Sequence, residues 1–134
     1  MAGDDVALFN DSLERCRRKP GFLDRFYDLF VASSEEVARK FTHTDLARQK
    51  RMVSISLYQL MSFSEGFPEG EVHLHRVAKL HSRDAAGIEP HLYDSWLDCL
   101  IRAVGEYDPD FSPDVERVWR TILGRGIAVM KAQY

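Results

Sequence analysis

Along most of this chain apolar residues recur at offsets of three and four, the spacing that sets one face of an α-helix against a core. Val6, Phe9, Leu13 and Cys16 form the first such stripe. Asp4 or Asp5 can cap that helix, which runs to about Arg18, and Pro20-Gly21 stops it. Leu23, Phe26, Tyr27 and Phe30 supply the inner face of a short second helix. Ser33-Ser34-Glu35-Glu36 reads as a capping box that opens a very short third helix, ending near Phe41.

After Phe41-Thr42-His43-Thr44, either threonine suits the cap of a long helix from about Asp45 to Ser64. Its stripe is Leu46, Gln49, Val53, Leu57 and Leu60, apolar except at Gln49. The segment from Glu65 to Gly70, with two glycines and Pro68, reads as a break. Leu74, Val77, Ala78 and His81 make the next stripe, and Gly87 marks a turn. Pro90 suits the first turn of a helix facing inward through Tyr93, Trp96, Leu97, Leu100 and Val104. Ser112-Pro113-Asp114 starts a last helix with Val115, Val118, Trp119, Ile122, Gly126 and Met130 inward, and Gly126 there predicts a close helix contact. With no alternating segment, repeat or linker, the pattern predicts an all-α chain of seven helices, a single domain over 1–134.

Composition changes this picture little. A chain of 134 residues buries about two thirds of its unfolded surface and needs no staples. Hydrophobic residues at 45% and charged residues at 29% exclude wholesale disorder. The net charge of −3 argues against nucleic-acid binding. No apolar run approaches the roughly 18 residues of a membrane span, and MAGDD lacks the features of a secretory signal, so no membrane role and a cytoplasmic location are expected. Cys16 and Cys99 fall in no metal-ligand spacing and read as small apolar residues, without a disulfide.

Chemistry enters at the polar residues that the helical phase turns inward. His81 ends an apolar stripe, where a buried imidazole needs a hydrogen-bond partner or a metal. His73 and His75 lie about 100° to either side of that line and read as solvated. Two histidines without a third clustered ligand make a poor zinc site. Tyr27 and Gln49 face inward from other helices, and Phe41 stands at a turn. Taken singly, His81 reads as a satisfied core histidine, Tyr27 as a core aromatic, Gln49 as the edge of its stripe, and Trp96 and Trp119 as packing. The carboxylates Glu35, Glu36, Glu69, Glu71, Asp108 and Asp110 read as caps and solvated faces.

In their order and spacing these residues resemble the globin family. FYDLFVASSEEVARKF is similar to the stretch of bacterial globins that carries a distal tyrosine and ends in the phenylalanine that packs on the haem, which implies those roles for Tyr27 and Phe41. QKRMVSISLYQLM resembles the distal helix, with Gln49 at the distal position and Val53 one turn on. KLHSRDAAGIEPHLYDSWL resembles the proximal segment. It implies that His81 is the iron ligand, Ile88 a contact at the next corner, and Tyr93 and Trp96 neighbours of the haem.

The resemblance implies a globin fold, a two-layer helical sandwich around one noncovalent b-type haem between the Gln49 and His81 helices. It further implies reversible binding of dioxygen, nitric oxide or carbon monoxide at a five-coordinate iron. Tyrosine with glutamine resembles the distal pair of flavohaemoglobins and bacterial single-domain haemoglobins, and implies tight dioxygen binding. Alternative uses are a haem-based redox or gas sensor with a signalling partner and a nitric oxide dioxygenase served by an external reductase, in a monomer or homodimer. The sequence departs from flavohaemoglobins at Leu123, where they carry a tyrosine bonded to a glutamate and the proximal histidine, which lowers the expectation of peroxidase chemistry. The corner after His81 is longer than usual and resembles single-domain relatives of globin-coupled sensors.

Overall fold

The computed structural model describes residues 2–134. Seven helices form, with no strand among the described residues: α1 (Ala2–Arg17), α2 (Phe22–Ala32), α3 (Glu35–Lys40), α4 (Leu46–Ser64), α5 (Pro68–His81), α6 (His91–Tyr107) and α7 (Pro113–Ala132). The apolar stripes build one core from all seven, with Phe9, Phe26, Leu57, Leu100, Val104 and Trp119 almost fully buried. α4 and α5 pack as a hairpin, α2 lies along α6, and α7 touches α1, α4, α5 and α6. The helices therefore lie in two packed layers.

Caps set several boundaries differently from the sequence pattern. α1 begins at Ala2, so Asp4 and Asp5 stand in its first turn, where acidic groups favour the helix dipole. Asp45, not a threonine, caps α4 by accepting from the Arg48 amide at 3.1 Å. Thr42 and Thr44 instead donate back to carbonyls of the α3 end. Ser34 caps α3 by accepting from the Val37 amide at 3.1 Å; Val37 stands where a capping box needs Glu or Gln. On α2, Phe22 is the more buried residue and Leu23 only half-buried.

The largest difference is at α5. It starts at Pro68, inside the segment read as a break, because proline suits the first turn of a helix. Gly70 permits the α4–α5 hairpin to close: a Cβ there would stand 2.4 Å from the Phe63 amide nitrogen and 2.7 Å from the Gln59 carbonyl oxygen. Gly126 plays the role its phase predicts, since a Cβ would meet Leu60 Cδ2 at 2.1 Å. Gly87 turns the corner between α5 and α6 with φ +64, a conformation that favours glycine.

Candidate functional site

Between α4 and α5, closed by α2, α3, α6 and α7, lies a largely apolar cavity of ≈ 330 Å³. Helical phase explains its lining. Tyr27 enters from α2, Gln49 and Val53 from α4, His81 from the end of α5, Ile88 from the corner, Tyr93 and Trp96 from α6, and Phe41 from the turn after α3. All eight residues singled out from the sequence thus line one pocket, drawn from segments up to 69 positions apart (27 to 96). His75 and His91 are exposed and His73 is half-buried, and none of the three lines it. His73 is less solvated than its phase suggests, because its Nε2 lies 3.1 Å from Ser56 Oγ across the helix hairpin.

An aromatic wall holds the tyrosine. The Tyr27 ring meets Phe26 and Phe41 edge-on, at centroid distances of 4.8 and 5.7 Å, and Phe41 also abuts Phe30 at 5.7 Å. Trp96 stands edge-on to Phe26 at 5.8 Å. Tyr27 is only 2% exposed, and its hydroxyl has no hydrogen-bond partner among the described residues. Burial pushes its phenol well above the usual range. The Gln49 amide is near enough to offset part of that rise, yet no hydrogen bond of ordinary geometry joins them.

Opposite, burial holds the His81 imidazole below its ordinary pKa, which keeps it neutral and able to bind a metal. Its Nδ1 lies 3.2 Å from the Tyr93 hydroxyl, while Nε2 has no hydrogen bond among the described residues. Burial also pushes the Tyr93 phenol up to about 12. The corner pins the backbone here: Ile88 N–H donates to the His81 carbonyl at 2.9 Å, and Gly87 N–H to that of Ser82 at 2.9 Å. Tyr93 was expected as a neighbour of the pocket; its bond to His81 joins positions 12 apart (81 to 93) across the corner, a register no local pattern encodes.

Lys40 was missed. It lines the pocket rim and donates to the Gly87 carbonyl at 3.1 Å, with no carboxylate within ion-pair distance among the described residues. Arg48, Lys50 and Arg51, the basic residues that flank Gln49 on α4, do not line the pocket, and Lys50 pairs with Asp24.

No family model and no curated protein matches the chain. The fold is that of the globins, a class defined by helices packed around a pocket between facing helices. A solved structure makes the likeness specific: a Pseudomonas aeruginosa PAO1 protein, described as structurally highly homologous to a human hemoglobin, superposes with a TM-score of 0.93. The two are 38% identical, over 97% of this chain and 98% of that one. This chain belongs to the globin family. No described helix is long and apolar enough to cross a membrane.

Proposed function

We propose that the pocket holds one b-type haem and that the protein reversibly binds a diatomic gas, dioxygen foremost. The single observation that carries this reading is the buried Tyr27 hydroxyl, which has no partner among the described residues. Such a group costs about 1–3 kcal/mol unless something in the pocket accepts its proton. The residues fit a haem on other counts too. The walls are apolar and aromatic, His81 faces inward as a neutral imidazole, and among the described residues its Nε2 has no hydrogen bond and the lysine at the rim no counterion.

When bound, the haem supplies an iron with one position left open for a diatomic ligand. His81 Nε2 would be the protein ligand to that iron, and Tyr93 would fix the imidazole by accepting from Nδ1. Phe41, Val53, Ile88 and Trp96, which line the pocket, would pack against the haem. Lys40, now donating to the Gly87 carbonyl, would be placed to pair with a haem carboxylate. Tyr27 would donate to a polar diatomic ligand, with Gln49 as the second donor, and both would hold it in the pocket.

Gas binding is favoured over bond-breaking chemistry by what stands behind His81. A phenol oxygen is a weaker acceptor than a carboxylate, so the imidazole gains little anionic character from Tyr93, and position 123, where flavohaemoglobins carry a tyrosine, holds a buried leucine with no acceptor to offer. A nitric oxide dioxygenase with an external reductase and a sensor with a signalling partner remain further uses of the same site.

The test is the absorption spectrum of the purified protein beside single alanine variants of its histidines. The wild type, His73→Ala, His75→Ala and His91→Ala should show an intense haem band, and His81→Ala should lose it. A haem-free wild type supplied with haem that gains no band would end the proposal.

A further inference from the structure

Outside the pocket, a second set of donor atoms converges where α3 meets the start of α6. Glu36 of α3, Glu89 of the corner and His91, the first residue of α6, each bring one ligand atom to within 4.8 Å of the other two. His91 Nε2 lies 2.8 Å from Glu36 Oε2, and Nδ1 lies 3.5 Å from Glu89 Oε2. Ligand atoms about 2.0–2.2 Å from a tetrahedral zinc ion stand roughly 3.3–3.6 Å from one another. An imidazole gives an ion one nitrogen only, so one carboxylate must turn to the nitrogen that the other already faces; with one donor atom from each residue within 4.8 Å of the others, rotation of exposed side chains can do this.

Charge points the same way. Neither Glu36 nor Glu89 has a lysine or arginine within ion-pair distance among the described residues, so two carboxylates share one imidazole. Lys40 and Asp94 add one charge of each sign nearby, and Asp94 is itself held by Lys131. With His91 neutral these charges leave one negative in excess, which favours a cation; contact with Glu36 raises the His91 pKa, so a bound ion must displace that proton.

We propose that Glu36, Glu89 and His91 form a surface site for a divalent transition cation of the zinc class, with water completing its coordination. One imidazole with two carboxylates matches the nitrogen and oxygen donors that zinc takes, whereas calcium and magnesium prefer oxygen alone. The ion bridges elements 53 positions apart (36 to 89) that also wall the pocket, through Val37 and Lys40 on one side and Ile88 and Leu92 on the other. It acts as a clip across the pocket rim. The site is separate from His81 and does not depend on what the pocket holds.

Isothermal titration of the full chain with zinc chloride tests this, run on haem-free and haem-loaded protein alike. One zinc per chain should bind in both, and His91→Ala and Glu36→Gln should each weaken it at least about tenfold. His43→Ala and His75→Ala, exposed histidines elsewhere, should leave affinity unchanged. All four positions are at or near the surface, so the variants should fold as the wild type does. Absence of saturable zinc binding, or full affinity retained in His91→Ala, would overturn the proposal.

Discussion

Two buried polar regions of this molecule have opposite hydrogen-bond accounts. Under α1, the Asp108 carboxylate accepts from Ser12 at 2.6 Å, from Arg15 at 2.6 and 3.0 Å, and from the Asp110 amide at 2.8 Å. Ser12 in turn accepts from Trp119 Nε1 at 2.9 Å. The knot ties α1, the α6–α7 connection and α7 together and leaves none of its buried side-chain polar atoms without a partner among the described residues. Tyr27 is as deeply buried, and among the described residues its hydroxyl has none. A satisfied network serves the fold. A polar atom left open in an apolar pocket serves what enters it, which is why the second region and not the first is read as functional.

Substitutions sharpen the contrast. The largest effect should come from Asp108→Ala, which strands Ser12 and the Arg15 charge and should cost about 3 kcal/mol or more of stability in denaturant unfolding. Burial by itself would raise the Asp108 pKa, but Arg15, Ser12 and the Asp110 amide outweigh it, and the net shift is downward. Its stabilisation is therefore present above the unfolded carboxylate pKa near about 3.9 and lost as pH falls through the lower folded value. Acid unfolding of the wild type should steepen in that window, and Asp108→Asn should flatten it.

On the pocket side the effects should fall on ligand and not on folding. Gln49→Leu should quicken dioxygen release by about 0.5–1.5 kcal/mol in barrier, less than loss of the phenol, because a long amide loses more entropy when held. Tyr93→Phe should be smallest: it removes the Nδ1 acceptor at His81, worth about 0.5–1.5 kcal/mol, shared between faster haem loss and a small downward shift of the iron–histidine stretch. Resonance Raman spectroscopy of the ferrous protein reads that stretch. A wild-type frequency in the peroxidase range would show that His81 has a stronger acceptor than Tyr93.

The same contrast explains what was legible in the sequence. Tyr27, Gln49 and His81 were visible because each sits in helical phase with an apolar stripe, and phase is local information. Seven helices followed from the same periodicity. Asp108 was misread as a solvated cap, since its partners Ser12 and Arg15 lie 96 and 93 positions away and nothing near Asp108 announces them. Lys40 was passed over because a lysine at the end of a short helix looks like any surface charge. Pro68 and Gly70 were taken as breakers, although proline also starts helices and glycine also lets two of them touch. That the Tyr27 hydroxyl lacks a partner is a property of the whole core, and no stretch of sequence carries it.

The most direct measurement is therefore the rate of dioxygen release from Tyr27→Phe, taken beside carbon monoxide release and the stability of the haem-free chain. The substitution keeps the ring and its contacts with Phe26 and Phe41 and removes only the open hydroxyl. Dioxygen should leave faster by roughly ten- to a hundredfold, equivalent to about 1.5–3 kcal/mol, because a hydrogen bond to a ligand that gains negative charge is lost. Carbon monoxide release should change far less, and the haem-free protein should be as stable as the wild type or slightly more so. Unchanged dioxygen release, with a haem-free protein that loses stability, would mean that Tyr27 belongs to the core and not to the ligand.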